Sequence, residues 1–134
     1  MSCEVTIYKI KDFIRITKGG KLDVARSKKI VRELVATASF HGDHNILIDL
    51  RDTEVVINNM DELLEVAVEF ARFKALLSNK IAAVIPDEEE RISKAKKFKA
   101  CLVEQGFHYS FFTDFESAME WLSDKTCLIP LHEI

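Results

Sequence analysis

Two short stretches of the chain contain an uninterrupted apolar core, whereas many strands alternate apolar and polar residues. They are the run Asn45–Arg51 and the run Lys80–Ile85. Continuous hydrophobicity over so few residues is typical of a β-strand covered on both faces, and in a small protein such strands usually have parallel neighbours. A helical pattern separates the two runs. We therefore expect neighbouring central strands, joined by a right-handed crossover.

The segments around these two runs complete an α/β pattern. Val5 and Ile7, and then Ile14 and Ile16, alternate with polar residues, which predicts an N-terminal antiparallel hairpin with one buried face. Apolar residues at helical spacing predict four helices, and Phe107–Phe112 predicts a fifth strand. The capping and stop signals for the helices are Asp23, the group Asn58, Asn59 and Asp61, the pair Asp87 and Glu90, Gly106, and the pair Thr113 and Glu116. The expected fold is α/β, with a single mixed sheet and parallel β-α crossovers.

Length and composition fit one domain spanning residues 1–134. Hydrophobic residues make up 48% of the chain and charged residues 31%, and a domain of this size buries enough apolar surface to fold without a metal or a disulfide. The segment 125–134 is too apolar for a free tail. We expect it to pack on the domain or on a partner subunit.

Charge and cysteine content argue against several classes of function. The formal net charge is −3 and the sequence pI is about 5.8, which argues against general binding to nucleic acid or to an anionic membrane surface. Three widely spaced cysteines without a CxxC pair fit reduced thiols. No signal peptide and no apolar run long enough for a membrane span is found in the sequence. A cytoplasmic protein is expected.

Three stretches of the chain, taken in order, resemble the SpoIIAA-like family of small STAS-type domains, which also carries a Sec14-like label. They are Ile46–Asp52, with its Asp-Leu-Arg ending, Ile81–Pro86, and Phe112–Leu122, which closes on Ala-x-x-Trp-Leu. The resemblance covers nearly the whole chain up to about Leu122. It implies a β-α superhelix around a mixed sheet, often a homodimer, and usually no assigned activity.

Regulators of the wider STAS group carry a phosphorylated Ser or Thr at the start of the helix after the third strand. Here that helix start offers Asn58, Asn59 and Asp61 but no hydroxyl. Thr53 lies earlier in the loop. A carboxylate at Asp61 would occupy the space near free N–H groups that a phosphate would take. The usual phosphorylatable switch is therefore not expected.

Polar residues after the third strand form the candidate binding site. Asp49, Arg51 and Asp52 crowd the predicted strand end, and open α/β sheets place ligand sites where parallel strands stop. Arg51 could bind an anion or a partner carboxylate through two hydrogen bonds, but a local ion pair that anchors the loop is favoured. The predicted ligand- or partner-binding residues are Asp49, Arg51, Asp52, Thr53, Asn58 and Asn59.

Catalytic and metal-binding patterns are incomplete. A phospho-acceptor receiver needs carboxylates at the end of the first strand and a lysine at the end of the last, where Lys9–Ile10 and Thr113–Asp114 stand. The turn with His41, Asp43 and His44 is more typical of a solvated turn than of a metal site. There is no nucleophile elbow and no Gly-rich phosphate loop. No metal, cofactor or enzymatic activity is therefore expected.

Two hypotheses of function lead, well ahead of a third in which Asp49, Arg51 and Asp52 form an enzyme site. The first is a non-enzymatic regulatory or binding module of STAS/SpoIIAA-like type, a homodimer, in which the loop Arg51–Asn59 recognises a protein partner or a small ligand. The alternative, implied by the Sec14-like label, is a carrier of a small apolar ligand or lipid. Aromatic residues concentrated in the second half of the chain, such as Phe111, Phe112 and Trp121, could line a groove for that ligand or a dimer seam.

Overall fold

The computed structural model describes residues 5–10, 13–40, 42 and 44–128 of the chain. Strands and helices alternate along most of it. The elements are β1 (Val5–Ile10), β2 (Phe13–Leu22), α1 (Val24–Phe40), β3 (Asn45–Val55), α2 (Met60–Arg72), a single 3-10 turn (Lys74–Leu76), β4 (Ile81–Val84), α3 (Glu89–Glu104), β5 (Tyr109–Phe112), α4 (Phe115–Leu122) and β6 (Ser123–Leu128).

The main sheet has four strands in the order β2-β3-β4-β5, and every neighbouring pair is parallel. The two continuously hydrophobic runs form β3 and β4, which lie side by side with Ile46 opposite Ile81. All four residues of β4 are buried. The expectation that these runs are adjacent, covered strands is therefore confirmed, as are the α/β class and the parallel crossovers.

The predicted N-terminal antiparallel hairpin is wrong, and so is the predicted single mixed sheet, because the main sheet is entirely parallel and the antiparallel pair lies outside it. β2 pairs in parallel with β3, whereas β1 pairs antiparallel with β6 in a separate two-stranded sheet. Alternating hydrophobicity shows that one face of a strand is buried, but it carries no information about which strand lies beside it. The strand β6 includes the start of the segment 125–134, and residues 129–134 lie outside the described residues.

The two faces of the main sheet are covered unequally. Helices α1, α2 and α3 pack on one face, over β3 residues such as Ile46 and Ile48. Helix α4 packs on the other face. There Ala118 and Leu122 form a smaller hydrophobic cluster with residues of β3 and β4, among them Leu47. Alternation along β3 therefore sends successive side chains to two separate cores.

Helix starts follow the predicted caps in the first half of the chain and depart from them later. A side-chain oxygen of Asp23 and one of Asn59 each accept a hydrogen bond from the backbone N–H three residues on, at 2.8 and 2.9 Å. The predicted capping boxes of the last two helices are wrong. Helix α3 follows Glu88, whose side chain makes no capping hydrogen bond, and α4 is capped by Asp114 in place of Thr113.

Candidate functional site

Strand β3 extends beyond the end of β4 and contains a β-bulge. It pairs with β4 only as far as Asp49 and continues beside β2 to Val55. Between Asp49 and Asp52, β3 carries one residue more than β2 does, so Leu50 and Arg51 oppose a single residue. Asp49, Arg51 and Asp52 thus lie within β3, whereas the sequence placed them at its end. Asp49 nevertheless marks the carboxyl edge shared with β4 and β5.

Asp49 is buried, and both of its carboxylate oxygens accept hydrogen bonds from arginines. Oδ1 accepts from the backbone N–H and from Nε of Arg51, at 3.2 and 2.9 Å. Oδ2 accepts from Nη2 of Arg51 at 2.8 Å and from Nη2 of Arg15 at 2.9 Å. The hydrogen bonds from Arg51 are the main reason that the pKa of Asp49 lies far below its usual value, against an opposing effect of burial.

The surroundings of Asp49 favour a local ion pair over a ligand site. The side chains of Arg15 and Arg51 are 47% and 44% exposed, so water also solvates their charges. The Arg15 guanidinium lies over the ring of Phe115 in α4, 5.1 Å from its centroid. Because the chain itself satisfies the carboxylate, the cluster anchors the bulge against α4.

The other predicted site residues have different surroundings. The Thr53 side chain is buried, and its hydroxyl donates to a backbone carbonyl of the bulge at 2.6 Å. Asn59 caps α2, and the backbone N–H of Asn58 donates to Oε2 of Glu62 at 3.3 Å. Asp52 is exposed, and no hydrogen bond to its side chain is found among the described residues. The predicted set is therefore dispersed: Asp49, Arg51, Asp52 and Thr53 lie along β3, whereas Asn58 and Asn59 lie at the start of α2.

Arg91, in the first turn of α3, contacts Thr53 on the face that carries the three helices. Its Nη1 donates to the Thr53 carbonyl at 3.1 Å, and its Nη2 donates to the Thr53 hydroxyl oxygen at 2.9 Å. Arg91 is only 8% exposed. Burial lowers its pKa, an effect that Tyr109 and Glu88 partly oppose, but an arginine side chain remains protonated in proteins.

Arg91 lines a cavity of about 120 Å³ between the sheet and helices α1, α2 and α3. The walls are mainly apolar and come from every element of that layer. They include Ile30, Leu34, Ile48, Leu63, Ile81, Ala95 and Phe98. The polar residues in the lining are Ser27, Arg91, Lys94 and Tyr109. A cavity of roughly 150 Å³ engineered into another protein binds benzene, so this one has the size of a small organic molecule.

Most of these polar groups lie toward the carboxyl edge of the sheet. Ser27 belongs to the first turn of α1, and Arg91 and Lys94 belong to the first two turns of α3. The bulged end of β3 and the segment leading into α2 contribute Leu50 and Ile57 there. Helix N-termini carry partial positive charge, and open α/β folds bind ligands at this edge. The geometry therefore favours an anionic group at this end of the cavity.

Tyr109 lines the cavity from the first position of β5. Its ring packs edge-to-face with Phe70 and Phe98, with centroid distances of 6.5 and 5.7 Å. Burial raises the pKa of its phenol above the usual range, and the nearby Arg91 opposes that rise. The hydroxyl is thus protonated at neutral pH, and no hydrogen bond to it is found within the described part of the chain. Tyr109 therefore brings a hydrogen-bond donor without a partner to the lining of the cavity.

The sequence analysis missed the polar groups of the cavity. One signal was present: Arg91, Ala95, Phe98 and Leu102 follow one another at helical spacing. An arginine on the apolar face of a helix is either buried with that face or marks a position where the apolar pattern does not hold. Tyr109 gave no such signal, because an aromatic residue in a strand is ordinary core.

In its described residues, the protein is an α/β protein with a ligand-sized, mainly apolar cavity at the carboxyl edge of a parallel sheet. Family models, curated protein sequences and solved structures give no match to this chain.

Two further classes of site were sought in the same residues. In the described ranges, no helix has both the length and the hydropathy needed to cross a membrane. The same ranges contain no group of three His, Cys, Asp or Glu side chains that could hold a metal ion. His41 and Asp43, two members of the turn considered above, lie outside them.

Proposed function

We propose that this protein is a non-enzymatic binding module of SpoIIAA-like type that takes a small, mainly apolar ligand into the cavity beneath helices α1, α2 and α3. The observation that carries the proposal is the cavity itself, about 120 Å³ in volume. Protein interiors are close-packed, with few voids larger than a water molecule. A mainly apolar space with a few converging polar groups is the usual form of a small-molecule site.

The loop that the sequence singled out supports a small ligand better than a protein partner. Val55 and Ile57, from the segment Arg51–Asn59, line the cavity, and Thr53 holds Arg91 in place. The side chains of Asp49 and Asn59 are instead engaged within the chain. The segment therefore forms part of the cavity wall.

The volume limits the size of the ligand. By comparison with cavities that bind benzene, we expect the buried part to contain about six to eight carbon atoms. This restricts the alternative of a Sec14-like carrier to a small apolar molecule or to the end of a longer chain. The lining contains no His, Cys, Asp or Glu, which supports a binding role over catalysis.

A titration with 1-hexanol, followed by NMR of the methyl groups, tests the proposal. We expect shifts at cavity-lining methyls, including those of Ile48 and Ile81, and little change at Leu47 and Val84 on the other face of the sheet. Shifts of equal size in both clusters, or none in either, would refute a specific site.

A pair of variants on α3 separates cavity binding from a general effect on stability. Ala95→Leu places three extra carbon atoms in the cavity, so it should abolish the 1-hexanol shifts. Ala100→Leu makes the same change at an exposed position of the same helix and should preserve them. Equal binding by both variants would contradict the proposed location.

The homodimer, the regulatory protein partner and the cytoplasmic location stay predictions. Native mass spectrometry of the purified protein would report the number of subunits and any retained small molecule in one measurement.

A further inference from the structure

Arg91 has an unusual combination of burial and partners. Buried arginines are normally paired with a carboxylate, since an unpaired charge is costly to desolvate. Here two N–H groups of the guanidinium donate to neutral oxygens of Thr53. No ion pair to Arg91 is found among the described residues. Its remaining N–H groups have no partner among the described residues, and Arg91 lines the cavity.

Helix stability does not account for this arginine. Arg91 lies in the first turn of α3, where a positive charge meets the positive end of the helix dipole. The acidic residues at that helix start, Glu88, Glu89 and Glu90, are exposed. Glu90 pairs with Lys94 at 3.3 Å, and Glu88 attracts Arg91 without forming an ion pair with it. The positively charged Arg91 thus lines a mainly apolar cavity at the N-terminus of α3, where the partial positive charge of the helix favours an anion.

We infer that the ligand is a small organic acid, whose apolar part fills the cavity and whose carboxylate binds Arg91. This inference rests on the function proposed above and adds the chemical class of the ligand. A carboxylate matches the fork of a guanidinium and can accept two hydrogen bonds from it. Tyr109, whose hydroxyl has no hydrogen-bond partner among the described residues, lines the same cavity, whereas the ammonium group of Lys94 pairs with Glu90. A monocarboxylate suits this set better than a phosphate, because a single arginine is buried there and the rest of the lining is mainly apolar.

The first experiment compares hexanoate with 1-hexanol, two probes with the same chain length and different head groups. At pH 7 and low salt, calorimetric titration of the wild-type protein should show hexanoate binding at least ten times more tightly. The side-chain N–H resonances of Arg91 should shift with hexanoate and stay in place with 1-hexanol. A residue with a purely structural role would not respond to the head group in this way.

The second experiment uses two variants, each of which replaces one arginine with methionine and so removes one positive charge. Arg91→Met should lower hexanoate affinity at least tenfold, to the level of 1-hexanol, and should leave 1-hexanol affinity within about threefold. Arg51→Met changes the arginine on the opposite face of the sheet and should leave the binding of both probes unchanged. Loss of hexanoate binding in Arg51→Met alone would move the anion site to Arg51 and overturn the inference.

The outcomes separate this inference from the function on which it rests. Equal affinity of the wild-type protein for both probes, or equal weakening of both by Arg91→Met, would refute the acid but leave the cavity site standing. Binding of neither probe would refute both proposals. If Arg91→Met does not fold, the head-group comparison and the Arg91 resonances of the wild-type protein still decide.

Discussion

Asp49 and Arg51, two residues apart on β3, form an ion pair joined by two side-chain hydrogen bonds of 2.9 and 2.8 Å. In a regular strand such residues point to the same face with their side chains running side by side. Here the bulge formed by Leu50 and Arg51 changes the backbone direction, and the Arg51 backbone N–H also donates to the carboxylate. A charged group therefore stabilises the irregular part of the strand.

The first expected consequence is a dependence of stability on acid pH. The pKa of Asp49 in the folded protein lies below its ordinary value of 3.8, so the unfolded state takes up the proton more readily. The stabilisation is fully present above that ordinary value and is lost as the pH falls below it toward the folded-state pKa. Urea unfolding should show a steeper loss of stability below about pH 4 for the wild-type protein than for Asp49→Asn.

A matched pair of variants isolates this effect at neutral pH. Asp49→Asn should lower the free energy of unfolding by about 1–3 kcal/mol, because hydrogen bonds to a charged group are lost. Asp52→Asn removes an exposed carboxylate from the same strand and should change it by less than about 0.5 kcal/mol. The same pH dependence in both variants would show that the Asp49 pair does not stabilise the fold.

Glu69 is expected to hold α1 and α2 together. Its buried carboxylate accepts from Nε of Arg32 and from Nη1 of Arg72, each at 3.2 Å. Glu69→Gln should lower stability by about 1 kcal/mol in chemical denaturation. The amide has one acceptor oxygen and one NH₂ donor, so it cannot replace the two carboxylate oxygens that accept from the two arginines. The control Glu65→Gln breaks the ion pair between Glu65 and Lys28. Because the Glu65 side chain is 56% exposed, this variant should lose less stability. A larger effect at Glu65 would contradict this role.

Thr53→Val tests how Arg91 is held. The Thr53 hydroxyl donates to Leu50 and accepts from Arg91, so valine removes both hydrogen bonds at nearly constant volume. We expect a loss of about 2 kcal/mol, measured by thermal unfolding. Thr37→Val is the control, because its hydroxyl donates only to a carbonyl of its own helix, and it should cost under about 0.5 kcal/mol. Equal losses would mean that Arg91 contributes nothing through Thr53.

The centre of the fold was predictable because its signal is local. β3 contains the apolar run Ile46–Ile48 near its start and β4 is apolar throughout, and a strand buried on both faces needs such a run. The pairing of β1 with β6 was not predictable in this way, since it joins opposite ends of the described chain. The alternation at Ile14 and Ile16 shows a half-buried strand equally well whether its neighbour is parallel or antiparallel.

The fold class indicates the carboxyl edge after β3 as the place for a site, but the sequence did not identify the residues that line the cavity. Val55 and Ile57 line it, whereas none of the six predicted site residues does. The bulge depends on a register shift of one residue, which no pattern in the sequence records. Arg91 reaches the same edge from a helix that begins far along the chain, so its contact with Thr53 depends on tertiary packing.

Gly106 ends α3, as the sequence predicts, and its backbone conformation explains why glycine is present. Its φ is 91°, its N–H donates to the Val103 carbonyl at 2.9 Å, and the next N–H donates to the Leu102 carbonyl at 3.0 Å. This is a Schellman cap, in which a left-handed residue closes the helix. Gly106→Ala should therefore lower the free energy of unfolding by about 1–2 kcal/mol, the cost of that conformation for an L-residue.

The steric part of the penalty should be small. An added Cβ would lie 2.6 Å from Nζ of Lys74, the flexible end of a side chain that can move away. Gly19→Ala provides the comparison, because its φ is not in the left-handed region and its added Cβ would meet nothing nearer than 3.7 Å. It should be neutral or stabilise by up to about 1 kcal/mol, since alanine restricts the unfolded chain. Urea unfolding of both variants measures the difference, and equal changes would show that the cap at Gly106 relaxes to another conformation.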